Sequence, residues 1–174
     1  MNHGDPLYSK ARIGGHPLHP MLVAFPVAFY VGALVSFIAY ALTDNPFWFR
    51  VGYVSNVGGV IMALVAAVPG FIDWYAGIPE GTRAKQVGLT HMTLNVAALV
   101  LFTINLWASN DGWNGAQPDS TAAILLTLLG VMCTVAAGWF GWTLVQTHHV
   151  GVQMDVEPRR EAPIEQRRRR TGAL

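Results

Sequence analysis

The sequence predicts an all-α fold: an integral membrane, antiparallel four-helix bundle with both termini cytoplasmic. Three observations predict it. Of 174 residues, 52% are hydrophobic and only 12% charged, against roughly 25% charged in a soluble globular domain. Ten of the 21 charged residues fall in the tail from Gly151 onward, which leaves eleven for the first 150 positions. Four windows free of Asp, Glu, Lys and Arg run from Met21 to Thr43, Val51 to Ile72, Gln86 to Asn110 and Ser120 to Met154. Each matches or exceeds the ~20 apolar residues that a helix needs to cross hydrocarbon.

Residues 1–20 carry His3, Asp5, Lys10 and Arg12 and lack the basic start, short apolar run and small-residue cleavage site of a signal peptide, so the first span is retained. This gives a cytoplasmic N-terminal segment over 1–20, a membrane domain over 21–150 and a tail over 151–174. The spans lie at about 21–43, 51–72, 89–109 and 122–146. Pro26 and Pro69 predict kinks within spans, because neighbouring helices can satisfy the carbonyls they free. The N-terminal segment, the loop with Arg83 and Lys85, and the tail hold ten of the eleven Lys and Arg, and the other two loops hold only Arg50. That asymmetry places both termini in the cytoplasm of a multi-pass inner-membrane protein. Trp48, Trp107 and Trp113 then lie at the outer interface, and Trp74 with Tyr75 at the inner one. The tail, with Pro158, Pro163, four acids and the run Arg167 to Arg170, lacks the apolar content to pack and is expected to be disordered. No internal repeat is evident.

Small residues and polar groups mark the packed faces of membrane helices. One stripe runs His16, His19, Val23, Pro26, Tyr30, Ala33, Phe37, Tyr40, and a second Asn56, Gly59, Ala63, Ala66, Gly70, Asp73. A third runs His91, Asn95, Ala98, Phe102, Asn105, and a fourth Thr127, Gly130, Thr134, Ala137, Gly141, His148. By direction, His16, His19, Asp73, His91, His148 and His149 converge on the cytoplasmic end. Asn56 and Asn105 are level with each other towards the opposite end.

Three readings of the cytoplasmic cluster stand side by side. In the first, His19 and His91, on the diagonal pair of spans one and three, ligate a haem b iron, with glycines of spans two and four making room for the macrocycle. In the second, His16, His19, Asp73 and His91 bind a non-haem transition metal, since imidazole and carboxylate suit zinc, iron, copper or manganese. In the third, the cluster is a polar network that fixes helix register and binds no cofactor. For Asp73, which opposes the dipole at a helix C-terminus, a plain ion pair with Arg83 or Lys85 is a further option. His148 and His149 suit an interfacial cap. Cys133 lies mid-span, too far from the histidines for a mixed copper site, and packs in the core. One cysteine excludes an intrachain disulfide framework. No phosphate loop, Gly-x-Ser-x-Gly or His-Glu-x-x-His motif is present, and no charge lies mid-span to support transport. The basic residues are confined to segments, which excludes a nucleic-acid face. The partners left are the lipid bilayer, a redox protein, and further copies of the chain.

Gly15-His16-Pro17-Leu18-His19-Pro20, Gly70-Phe71-Ile72-Asp73-Trp74 and His91-x-x-x-Asn95 resemble the bacterial membrane-protein family called domain of unknown function 2231. The resemblance covers Gly14 to Ser109 and, more loosely, the fourth span; it does not extend to His148 and His149. It implies a four-span protein of unassigned activity in which His16, His19, Asp73, His91 and Asn95 belong to the family pattern. Related domains accompany Rieske-type or c-type haem modules, which implies a redox setting and adds Asn95 and His16 to the candidate cofactor residues.

Overall fold

Two glycines start the fold. Gly14 and Gly15 both take positive φ, +57° and +85°, the pair of left-handed residues that closes a two-residue hairpin. They fold β1 (Arg12–Ile13) back on β2 (His16–Pro17). The computed structural model describes residues 7–113 and 119–152; the expected tail disorder falls outside them from position 153.

From Pro17 the chain enters α1 (Leu18–Leu22) and then α2 (Ala24–Thr43). Pro26 has no N–H to offer the Leu22 carbonyl, and the helix is interrupted at Val23 without ending the span. Helix α3 (Pro46–Ile72) is capped by Asn45, whose Oδ1 accepts from the Phe47 N–H, and it passes through Pro69 into a π-helical turn, Asp73–Gly77. Helix α4 (Arg83–Ser109) starts with the Thr82 hydroxyl accepting from the Lys85 N–H and ends in a 3-10 turn, Asn110–Trp113. Before α5 (Thr121–Gln146), Asp119 accepts from the Thr121 N–H, and that bond holds its carboxyl below the ordinary range.

Four helices are long and apolar enough to cross a membrane: Leu18–Thr43, Pro46–Gly77, Arg83–Trp113 and Thr121–Gln146. The spans at about 21–43, 51–72, 89–109 and 122–146 each fall within one of these helices. Helix α2 packs on α3 and α5, and α4 packs on α5 and α3. Contacts between the first two spans run in opposite sequence order: Phe37 lies on Gly52, Tyr30 on Gly59 and His19 on Gly70. The outer faces are apolar, with Val135, Trp139 and Leu42 exposed, as lipid contact requires.

The buried positions repeat, which corrects the sequence reading. Pro26, Tyr30, Ala33 and Phe37 are buried in the first span, and the residues 72 positions later, Ala98, Phe102, Asn105 and Ser109, are buried in the third. Gly52, Asn56, Gly59 and Ala66 are buried in the second span, and 71 positions later so are Ala123, Thr127, Gly130 and Ala137 in the fourth. Two helical hairpins therefore use the same face in the same register. They meet at Tyr30 and Phe102, equivalent residues whose rings stack with centroids 3.6 Å apart and planes 3° apart. Gly59 and Gly130, also equivalent, seat these two rings: a Cβ would stand 2.6 Å from Tyr30 and 2.5 Å from Phe102.

Candidate functional site

His19 and His91 are the equivalent residues at one end of the two hairpins, and each is held in the same way. A carbonyl only accepts, so the bond from each ring Nδ1 fixes its proton there and leaves Nε2 as the ring's acceptor. Nδ1 of His19 donates to the Ala66 carbonyl at 2.8 Å, and Nδ1 of His91 to the Ala137 carbonyl at 2.8 Å. One turn beyond each carbonyl a glycine faces the ring. A Cβ on Gly70 would stand 2.7 Å from His19 Nδ1, and one on Gly141 would stand 3.1 Å from His91 Cε1. Both imidazoles are half-buried, and their ring centroids are 6.0 Å apart with planes at 88°. The structure thus brings together the diagonal pair that sequence direction selected.

It does not bring together the larger ligand set. Among the described residues no group of three or more His, Cys, Asp or Glu side chains is placed to hold a metal ion. His16 is exposed on β2, opposite Ile13. Asp73 is taken by the N-terminal segment: its carboxylate accepts from the Ser9 hydroxyl at 2.8 Å, the Lys10 N–H at 2.7 Å and the Ala11 N–H at 2.9 Å. Neither Arg83 nor Lys85 pairs with it. Lys85 is buried, pairs with Glu80 at 2.9 Å and donates to the carbonyls of Trp74, Tyr75 and Ile78 at the π-helical turn.

Two further expectations change. Asn95 is exposed on α4 instead of lying on the packed face, and its amide folds back to donate to the His91 carbonyl at 2.9 Å and to His91 Nε2 at 3.2 Å. The glycines of the second and fourth spans do not make the room expected of them for a macrocycle, because Gly59, Gly70, Gly130 and Gly141 are filled by Tyr30, His19, Phe102 and His91, so a haem held by the two Nε2 atoms would need room elsewhere than at these glycines. His148 is half-buried and His149 is exposed with a φ of +54°. Sequence reasoning missed the Ser9–Ala11 clamp on Asp73 and the two carbonyl anchors. The anchors had a signal in the near-equal separations, 47 residues from His19 to Ala66 and 46 from His91 to Ala137.

Fold and site define a multi-pass membrane protein with a carbonyl-anchored histidine pair at one end of its helices. The chain belongs to the family described as "Predicted membrane protein (DUF2231)", whose match spans residues 15–154. No curated protein and no solved structure matches it.

Proposed function

We propose that this chain is a redox or electron-transfer accessory subunit that holds haem b through His19 and His91. The observation that carries the reading is the pair of equivalent imidazoles, each with its proton fixed on Nδ1 by a backbone carbonyl. That second bond is the usual companion of a ligating histidine, since it fixes the tautomer and raises the basicity of the other nitrogen. The two rings also lie close together, with centroids 6.0 Å apart, so both could serve one haem iron. A haem needs only these two protein ligands, so that no third His, Cys, Asp or Glu among the described residues joins them weighs against a non-haem metal more than against haem.

Bound there, a haem iron would supply one-electron exchange. The chain's own part is to present two Nε2 lone pairs and to keep the rings from turning, through Ala66, Gly70, Ala137 and Gly141. Asn95 competes for the His91 lone pair and has to release it. We place the bundle antiparallel in the inner membrane with both termini cytoplasmic, supported by the opposed contact order of the first two spans and by ten Lys and Arg against one. A redox protein or a second copy of the chain is the partner such a subunit needs.

Asn95 favours a second reading, a structural pair with no cofactor, because its amide satisfies the nitrogen that iron would need. One experiment separates them. The protein is made with haem in supply, purified in mild detergent and its visible spectrum recorded. The haem reading expects a Soret band that His19→Ala or His91→Ala abolishes, and that Asp73→Asn and Asn95→Ala retain. A colourless parent protein sinks it and leaves the structural pair.

A further inference from the structure

We propose that Asn56 and Asn105 hold one water molecule between them in the interior of the bundle. Both side chains are wholly buried, each at 0% exposure. Each uses half of its amide on a known partner: Asn56 Nδ2 donates to the Phe102 carbonyl at 3.2 Å, and Asn105 Oδ1 accepts from the Ser109 hydroxyl at 3.3 Å. The other halves, Asn56 Oδ1 and Asn105 Nδ2, have no hydrogen-bond partner among the described residues. An unpaired amide group in a membrane interior is costly, and buried polar groups that lack a protein partner are met by water.

The two orphans flank the same turn of α4. In a helix the carbonyl of residue 102 points along the axis towards the N–H of residue 106, which puts the bonded amide of Asn56 beside Asn105. The two amides nonetheless share no hydrogen bond with each other. One orphan is an acceptor and the other a donor, so the guest must donate to Asn56 and accept from Asn105. Water does both. A cation would face the Asn105 N–H and an anion the Asn56 oxygen, and the windows that contain these residues hold no Asp, Glu, Lys or Arg to compensate either charge.

The other hairpin explains why the site is single. Its residue equivalent to Asn56 is Thr127, whose hydroxyl donates to the Ala123 carbonyl of its own helix at 2.7 Å and needs no guest. The residue equivalent to Asn105 is Ala33, which has no side-chain polar atom. Polarity was therefore placed in one copy of a repeated position and left out of the other.

The counterparts also supply the test, because Asn56→Thr and Asn105→Ala each install a residue that the other hairpin already packs. In a structure of the parent protein fine enough to show waters, one peak is expected within about 2.7–3.2 Å of both Asn56 Oδ1 and Asn105 Nδ2. In thermal melts of the detergent-purified protein, each single variant should lower the midpoint. The double variant should lower it by clearly less than the sum of the two singles, since one shared guest can be lost only once while the separate bonds to Phe102 and Ser109 add. A direct Asn56–Asn105 bond, no peak between them, or losses that simply add would each overturn the proposal.

Discussion

The two helical hairpins of this molecule share a frame and differ in chemistry. Where they agree, the residues are rings and the small residues that seat them: His19 and His91 against Gly70 and Gly141, Tyr30 and Phe102 against Gly59 and Gly130. Where they differ, a polar atom is present in one copy only. Tyr30 has a hydroxyl and Phe102 none, Asn105 stands opposite Ala33, and Asn95 beside His91 is answered by Val23 beside His19. Shape is repeated because lipid gives helices no hydrophobic reason to associate and close packing must hold them.

The strongest way to break the comparison is to fill the ring seats. Gly59→Ala and Gly130→Ala place a Cβ 2.6 and 2.5 Å from Tyr30 and Phe102. Each is expected to cost about 1–3 kcal/mol, the usual range for overpacking. Equivalence demands similar losses of melting midpoint in detergent, and a large loss at only one glycine would show that the two hairpins do not pack alike. Asp73 is the next test, because its counterpart Leu144 has no strap to hold. Asp73→Asn turns an amide nitrogen towards N–H donors and should cost on the order of 1–2 kcal/mol for a half-exposed group. Limited trypsin digestion should then cut faster at Lys10 and Arg12, while unchanged protection would mean that the carboxylate does not anchor the segment.

The histidines sharpen the comparison. Without a cofactor, each Ala substitution should cost roughly 0.6–2 kcal/mol, the range for interhelical hydrogen bonds in membranes. His91→Ala should cost the more of the two, because it also releases Asn95. Equal losses would mean that the Asn95 contact adds nothing. The smallest effect belongs to Tyr30→Phe, which makes the stacked pair identical. The Tyr30 hydroxyl is buried without a partner among the described residues, so its removal should be neutral or stabilise by about 1 kcal/mol or less. A clear fall in the melting midpoint would reveal a partner.

Hydropathy alone made the four helices legible, because hydrocarbon thickness sets their length and charge marks their ends. The meeting of His19 and His91 was legible too, since alternating direction puts the starts of the first and third helices at one end. Three things were not. Asp73 pointed to a metal or an ion pair because two of its three donors are backbone N–H groups of Lys10 and Ala11, which every residue but proline carries. Asn95 lies at the edge of its stripe, where spacing by three and four does not distinguish a packed position from an exposed one. The repeat was not legible because small residues common in any membrane helix carry it, while the conspicuous polar residues are those that differ.

Haem content per chain tests the central claim most directly. For protein purified in mild detergent after growth with haem in supply, the account predicts one haem per chain in the parent and none in either His19→Ala or His91→Ala. A parent without haem, or a single-histidine variant that keeps its full content, would contradict it.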